Sequence, residues 1–255
     1  MAEKDARLDK YVAETAGITR KEAKTVLSKG RVSVNGEVCK NGDCKVSAAD
    51  TVMLDGKSLK SEEFLYLMLH KPAGVVSATE DGRDKTVLDL VREQSAEDAE
   101  SAGETGFFLG KREVFPVGRL DKDTEGLLLL TDDGELAHRL LSPKKHVDKV
   151  YYARLDGVVP EDAAKHFAEG IQVGQDYKAL PAKLDVLSVQ DGISEVHITL
   201  REGKFHQVKR MCHEIGCEVL YLKRIYMGSL VLDETLQPGE CRKLTVEEVA
   251  NVRKY

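Results

Sequence analysis

The sequence lacks the features that mark membrane and secreted proteins. No apolar run approaches the roughly 20 residues that a membrane-spanning helix requires. The first ten residues are rich in charge and contain neither the apolar stretch nor the cleavage site of a secretory signal. We therefore expect a cytoplasmic protein that has no membrane partner.

The chain also lacks an even set of cysteines. Its five thiols argue against a disulfide framework and favour a reducing compartment. Cys39 and Cys44 share a C-x4-C spacing with Cys212 and Cys217, and two such pairs could form a zinc site. Structural zinc pairs usually have the closer C-x2-C spacing, so we expect buried reduced thiols and no metal.

An excess of basic residues is missing as well. The net charge is −6, which is unusual for a protein that binds nucleic acid, so the distribution of charge matters more than its sum. Residues 80–104 are strongly acidic. By contrast, residues 201–224 contain six lysines and arginines and two histidines against three glutamates. This distribution predicts locally basic surfaces despite the negative total.

At 255 residues the chain is long enough for two domains, and its beginning predicts a compact unit of two helices and a hairpin. Apolar residues between positions 8 and 16 fall at helical spacing, and Gly17 is expected to end that helix. Thr19 and Glu22 form a T-x-x-E capping box for the next helix. Asn35-Gly36 between alternating valines is a strong hairpin signal.

Residues 6–53 resemble the S4 RNA-binding module, with its two helices, basic second helix and G-R-V-x-V-N-G hairpin. A charged helix is often only a solvated surface. Here the basic residues coincide with the RNA-facing positions of the module, so the resemblance implies that they bind phosphate and position RNA without reading its sequence. These residues are Arg20, Lys21, Lys24, Lys29 and Arg31.

The remainder of the chain mixes short β-like runs with helical patterns and has no regular βαβ rhythm. This pattern predicts an α+β fold with a mainly antiparallel sheet. The first strand should break at residues 71–74, K-P-A-G, and the acidic segment Gln94 to Arg112 should be a surface loop. Asp132 and Glu135 predict a capping pair for a later helix.

Asp121 occupies the most informative segment of the chain. It lies between Gly118-Arg119-Leu120 and Thr124-x-Gly126, directly before the apolar run 127–130. A charged loop at the end of a buried strand is a common location for catalytic groups. By itself, however, an aspartate in such a loop could simply bond to its own backbone.

The whole string from Gly118, G-R-L-D-x-x-T-x-G-L-L-L-L-T, resembles the signature of the pseudouridine synthases of the RsuA type, in which this aspartate is the essential catalytic residue. Three further segments match: K-P-x-G at residues 71–74, K-x-Y at residues 149–151 and E-G-K-F-H-Q-V-K-R-M at residues 202–211. With the S4 module, the resemblance covers nearly the whole chain.

The resemblance implies two domains and a defined reaction. We expect an S4 domain at residues 1–57, a polar linker at 58–64 and a mixed, mainly antiparallel pseudouridine synthase domain at 65–255. The reaction breaks the N-glycosidic bond of a ribosomal RNA uridine, turns the base and rejoins it through C5, without cofactor or metal. The chain most resembles enzymes acting at position 516 of 16S rRNA, whereas other relatives act on 23S rRNA.

The resemblance also implies three catalytic residues: Asp121, Tyr151 and Lys209. Asp121 could attack the sugar or remove a sugar proton, and the sequence does not choose between these routes. Tyr151 matches the ring that stacks on the extruded base, and its neighbour Tyr152 should point to the opposite face of the strand. Lys209 matches the basic residue that pairs with the carboxylate and keeps it ionised.

Further residues of the same segments are expected to contact RNA. Arg210 is about 100° around a helix from Lys209, which favours a phosphate contact. The expected contacts outside the S4 module are Arg119, Lys204, His206, Gln207 and Arg210. We expect a monomer whose partner is ribosomal RNA or a ribosomal assembly intermediate.

Two other interpretations remain. A non-catalytic ribosome-assembly factor could keep this fold, although the intact set of Asp121, Tyr151 and Lys209 argues against it. The S4 module could also belong to a tRNA ligase, but the chain has neither a P-loop nor a Rossmann glycine pattern.

Overall fold

The computed structural model describes residues 6–16, 18–47, 50–59, 64–101, 109, 112–142 and 145–255. The chain divides into two compact units, residues 1–63 and residues 64–255. Gly17, which was expected to end the first helix, lies outside the described residues. Within the described part of the chain, the helices are too short or too polar to cross a membrane.

The first unit contains the predicted helices and hairpin. Its elements are β1 (Ala6–Arg7), α1 (Leu8–Ala16), α2 (Arg20–Ser28), β2 (Val32–Val34), β3 (Glu37–Val38), β4 (Lys45–Val46), β5 (Val52–Leu54) and β6 (Lys57–Leu59). Strand β1 pairs with β4, and the other four strands form an antiparallel sheet of order β3-β2-β5-β6. Strand β6 includes residues 58 and 59, which the sequence analysis assigned to the polar linker.

Local signals in the first unit act as expected. The Thr19 side chain accepts the N–H of Glu22, and the Thr19 N–H donates to the Glu22 carboxylate at 2.8 Å, so the capping box is confirmed. Asn35 and Gly36 both have positive φ, which a two-residue turn between β2 and β3 requires. The predicted hairpin is therefore confirmed.

The second unit is organised on a nine-stranded sheet. Its strands are β7 (Tyr66–Lys71), β8 (Phe115–Pro116), β9 (Glu125–Thr131), β10 (Lys149–Asp156), β13 (Lys183–Gln190), β14 (Ile193–Leu200), β15 (Glu218–Met227), β16 (Leu230–Val231) and β17 (Cys241–Lys243). The main order is β13-β14-β10-β15-β9-β7-β17, and β11 (Gln172–Val173) with β12 (Tyr177–Lys178) forms a separate hairpin. Strands β9 and β15 run parallel and the other named pairs antiparallel, which confirms the predicted fold class.

Helices cover both faces of this sheet. They are α3 (Val87–Ser101), α4 (Gly134–Leu141), α5 (Ala163–Glu169), α6 (Gln207–His213) and α7 (Val246–Val252). Successive residues of a strand point to opposite faces, so Leu128 and Leu130 of β9 enter one apolar core while Leu127 and Leu129 enter another. Burial on both faces explains why residues 127–130 of β9 form an unbroken apolar run.

The prediction of an acidic surface loop is wrong for residues 94–101. Helix α3 extends to Ser101, so residues 94–101 are helical. The Gln94 side chain accepts the N–H of Cys241 and donates to its carbonyl, both at 2.8 Å, and this distant partner holds the helix against β17. Residues 102–108 and 110–111 of that segment lie outside the described residues.

The predicted cap of α4 is displaced by one residue. Asp133 is the N-cap, and its side chain accepts the N–H of Leu136 at 2.9 Å. Asp132 instead accepts the N–H of Leu65 and the guanidinium of Arg112, each at 2.7 Å. Tertiary partners outside the helix therefore decide which of the two aspartates caps it.

Candidate active site

A cleft of about 390 Å³ opens in the second unit beside Asp121. Its walls come from β10, β14 and β15, from the loop before β9 and from the segment that leads into α6. The Asp121 side chain is 27% exposed, so it is reachable while most of its surface is covered. The predicted catalytic aspartate therefore lines a concave site.

The buried ammonium of Lys71 anchors the Asp121 loop. Strand β7 ends at Lys71, as predicted, and its Nζ donates to the carbonyls of Pro72, Asp121, Lys122 and Thr124 at 2.8–3.3 Å. Burial lowers the pKa of Lys71 to about 8, although nearby carboxylates oppose the shift. Because these contacts use backbone carbonyls, they hold the loop and leave the Asp121 carboxylate in the cleft.

Gly126 brings the two central strands together. It has φ of +104°, and a Cβ there would lie 2.7 Å from the Arg224 nitrogen and closer still to the Arg224 carbonyl. The parallel register aligns Gly126 with Arg224. A side chain at this glycine would push β9 away from β15 and move the loop that carries Asp121.

Two basic side chains flank the Asp121 carboxylate. Lys209 Nζ is 3.8 Å from Oδ2, and His206 Nε2 is 3.8 Å from Oδ1. Lys209 is closer to Asp123, with distances of 2.6 and 2.7 Å to its carboxylate oxygens. Partial burial is the largest single influence on the pKa of Asp123 and acts to raise it, but the hydrogen bond and the charge of Lys209, with smaller contributions, together leave that pKa lowered. Asp123 was not predicted from the sequence as a second partner for Lys209.

The two neighbouring tyrosines occupy opposite faces of β10. Tyr151 is buried and lines the cleft. Tyr152 packs edge-on against Tyr221 and His197, with ring centroids 6.1 and 6.2 Å away. Of the two rings, Tyr151 is therefore the one available to a ligand in the cleft.

Two buried cations on the cleft floor, Lys149 and Arg224, were not predicted from the sequence as site residues. Lys149 entered the sequence analysis only as the first residue of K-x-Y, and Arg224 only within the basic segment. Both are buried and line the cleft. Strand alternation would have revealed Lys149, because it shares a face with Tyr151, Ala153 and the other inward residues of β10.

The residues near the cleft that are expected to contact RNA differ in whether they already contact other side chains of the protein. Arg119 is exposed at the cleft edge. Lys204 Nζ lies 3.6 Å from the ring centroid of Tyr177, while Arg210 pairs with Asp176. The amide of the predicted RNA contact Gln207 is buried and donates to Glu202 at 2.7 Å. Phe205, which the sequence analysis did not select, is 71% exposed and stacks on His206 with centroids 3.8 Å apart.

The basic residues of the first unit that are expected to bind RNA also differ in whether they pair with an acidic side chain. Arg20 donates to the buried carboxylate of Asp9 at 3.1 Å, and Lys24 lies 4.0 Å from it. Arg31 forms an ion pair with Asp55. Lys21 and Lys29 are exposed and have no ion pair among the described residues. The latter two are the basic residues most available to a polyanion.

The two cysteine pairs belong to different units. Cys39 and Cys44 are half-buried in the first unit, with their sulfurs 3.3 Å apart, so the expectation of fully buried thiols is wrong for them. Cys212 and Cys217 are buried in the second unit, where burial raises the pKa of Cys212 to about 12. Across the described ranges, no three histidine, cysteine or acidic side chains form a metal-binding group.

Comparisons with known proteins find matches for both units of the chain. Residues 65–214 match the model of the RNA pseudouridylate synthase family, and residues 6–52 match the S4 domain. The chain is 42% identical over 249 residues to ribosomal small subunit pseudouridine synthase A of Vibrio cholerae, covering 97% of this chain and 100% of that protein.

Two further relatives have similar coverage. An RNA pseudouridine synthase of Bacillus subtilis is 43% identical over 244 residues, which are 95% of this chain and 96% of the relative. A pseudouridylate synthase crystal structure has 37% sequence identity and a TM-score of 0.62 over 96% of this chain and 99% of that chain.

Proposed function

This chain belongs to the RNA pseudouridylate synthase family, and from that premise we propose that it converts a uridine of 16S ribosomal RNA to pseudouridine. The observation that carries the proposal is the anchored, partly exposed Asp121 carboxylate in a cleft that also contains the Tyr151 ring. A ribosomal RNA substrate implies action in the cytoplasm, on free rRNA or an assembling subunit, by an enzyme that we expect to be a monomer.

The target nucleotide must leave its stack before the reaction can begin, because a stacked helix hides the glycosidic bond. Tyr151 offers a buried ring against which the extruded base can pack. Asp121 then either attacks the sugar or removes a sugar proton, and both routes require an ionised carboxylate. Lys209 supplies positive charge 3.8 Å from it.

The S4 unit would hold the RNA outside the reaction centre. Its exposed Lys21 and Lys29 can contact phosphates, which gives affinity that does not depend on sequence. We expect the choice of uridine to depend on the cleft and on the shape of the RNA around it. Position 516 of 16S rRNA remains the expected target.

Pseudouridine mapping across the rRNA of cells with and without the gene tests the substrate. One pseudouridine of 16S rRNA should disappear, and it should return with the wild-type gene but not with Asp121→Asn. Loss of a 23S pseudouridine would change the assigned target. Unchanged rRNA in both subunits would reject the proposal.

A purified Asp121→Asn protein tests the chemistry. The amide is nearly isosteric but is neither a useful nucleophile nor a base near neutral pH, so product formation should fall to background. The melting temperature and the Kd for RNA should stay close to the wild-type values. A variant rate within about tenfold of wild type, equivalent to about 1.4 kcal/mol of barrier, would contradict a central role for Asp121.

A further inference from the structure

Two cations share the floor of the cleft, and neither forms an ion pair with a carboxylate of the described residues. Lys149 is 7% exposed and Arg224 is 2% exposed. They stand on the adjacent strands β10 and β15, where Arg224 is in register with Tyr151, two residues from Lys149. Burial of Lys149 is the main cause that lowers its pKa to about 8. The nearby positive charge of Arg224 is the second cause.

The hydrogen bonds of these cations are incomplete. Arg224 Nε donates to the carbonyl of Leu127 at 2.8 Å, but its Nη2 is buried and has no acceptor in the described part of the chain. Lys149 Nζ donates to the carbonyl of Val147 at 3.2 Å. A buried charge without a partner is costly, so two such charges in one cleft point to a role in binding a group that carries or develops negative charge.

Lys71 provides the contrast. It is also fully buried, but four carbonyls surround its ammonium, and those contacts account for its place in the fold. No comparable set of acceptors in the described residues accounts for Lys149 and Arg224. Both side chains also line the cleft, where a molecule that enters can meet them.

The cleft around the two cations suits a flat ring. Leu200, Leu222, Val208 and the Tyr151 ring supply apolar walls. A phosphate group would have to lose its hydration against these walls, whereas a base can pack on them and direct its oxygens to the cations. Cations that stay unpaired in the free enzyme also suit a ligand that becomes negatively charged only during the reaction.

We propose that Lys149 and Arg224 bind the carbonyl oxygens of the target uracil and stabilise the anion that the base becomes when its glycosidic bond breaks. This inference rests on the proposed function. The electron pair of the C1′–N1 bond leaves with the base and spreads over its ring and both carbonyl oxygens. C5 then forms the new bond to C1′, C5 loses its proton, and N1 gains one, so the overall reaction is an isomerisation.

The shape of the uracil anion supports one binding site for both orientations. A half-turn about the axis through N3 and C6 exchanges N1 with C5 and exchanges the two carbonyl oxygens. Cations that hold one oxygen before the turn can therefore hold the other oxygen after it. Lys149 and Arg224 would keep the detached base in the cleft while it reorients.

The test compares Lys149→Met, Arg224→Met and the double variant with wild type under single-turnover conditions. Lys223→Met is the matched control, because Lys223 is next to Arg224 on β15 but does not line the cleft. We expect the variants to consume target uridine about 100-fold more slowly or worse, with less than about a threefold change in the Kd for RNA. The control should keep the wild-type rate.

A substrate with a more stable leaving anion separates this role from a structural one. On RNA with 5-fluorouridine at the target, the variants should consume that nucleotide no more than about tenfold more slowly than wild type, because fluorine stabilises the anion of the detached base. Lys149→Gln provides a second variant if a methionine variant does not fold. A misfolded or distorted cleft would slow both substrates equally, and that result would overturn the inference.

RNA with a neutral methylphosphonate on either side of the target tests a phosphate ligand. If the cations bound phosphate, the variants would lose affinity for normal RNA but not for the neutral RNA, and the inference would be overturned. Active methionine variants would also overturn it while leaving the proposed function intact. A wild-type enzyme that makes no pseudouridine would instead defeat the proposed function.

Discussion

At the residue scale, Lys209 stands between two carboxylates. Its Nζ is 3.8 Å from Asp121 and 2.6 Å from Asp123. Lys209→Met removes the charge while preserving much of the side-chain volume. We expect single-turnover activity to fall by about two orders of magnitude, because the proposed catalytic carboxylate of Asp121 loses a nearby cation, whereas the Kd for RNA should change only modestly.

Asp123→Asn is the matched variant, since it removes the closer carboxylate and keeps the lysine. Its activity should remain within about threefold of wild type, because Lys209 can then turn fully to Asp121. If instead both variants are equally inactive, the ion pair between Lys209 and Asp123 matters more than the charge beside Asp121. A large loss of RNA affinity in Lys209→Met alone would make this lysine a phosphate contact.

At the element scale, the parallel contact between β9 and β15 sets the position of the loop that carries Asp121. Gly126→Ala would force a Cβ against the backbone of Arg224 in a conformation that L-residues rarely adopt. We expect a loss of about 3 kcal/mol or more in the free energy of unfolding, together with loss of activity. Thermal and urea denaturation, followed by an activity assay, measure both effects.

Gly82→Ala is the control for this substitution. Gly82 has no atom within 4 Å of the position of an added Cβ and does not have a positive φ. Its stability should therefore stay within about 0.5 kcal/mol of wild type. Similar stability for the two alanine variants would mean that β9 and β15 can separate without cost, contrary to their close backbone approach.

At the scale of the whole molecule, the two units allow binding and chemistry to be separated. Residues 64–255 contain their own apolar cores, so deletion of residues 1–63 should leave a folded unit with intact thermal unfolding. Its affinity for rRNA should fall by about tenfold or more, and the logarithm of its Kd should depend less steeply on salt. An unchanged Kd across a salt titration would exclude the S4 unit as an RNA anchor.

A full-length chain that carries Lys21→Gln and Lys29→Gln controls for loss of the whole unit. Both lysines are exposed, so their removal should leave thermal stability unchanged and reduce the salt dependence of binding. Arg20→Gln should behave differently, because Arg20 is bonded to the buried carboxylate of Asp9. It should lower the stability of the first unit as well as affinity.

The sequence by itself determined those features that depend on neighbours along the chain. The capping box at Thr19, the Asn35-Gly36 hairpin and the end of β7 at Lys71 were all predictable, because each depends on backbone preferences within a few residues. The period-two pattern placed Tyr151 and Tyr152 on opposite faces. Asp121 could be selected as the candidate catalytic residue because the whole signature around it is contiguous.

Only the tertiary structure decided which charged groups meet. Asp123 and Lys209 are 86 positions apart, and Arg224 reaches the carbonyl of Leu127 across 97 positions. Pairing of β9 with β15 brings such groups together, and Coulombic interaction depends on their distance in space and on burial. A linear pattern contains neither quantity. The sequence therefore placed Arg224 only in a basic segment, and its burial is known from the fold alone.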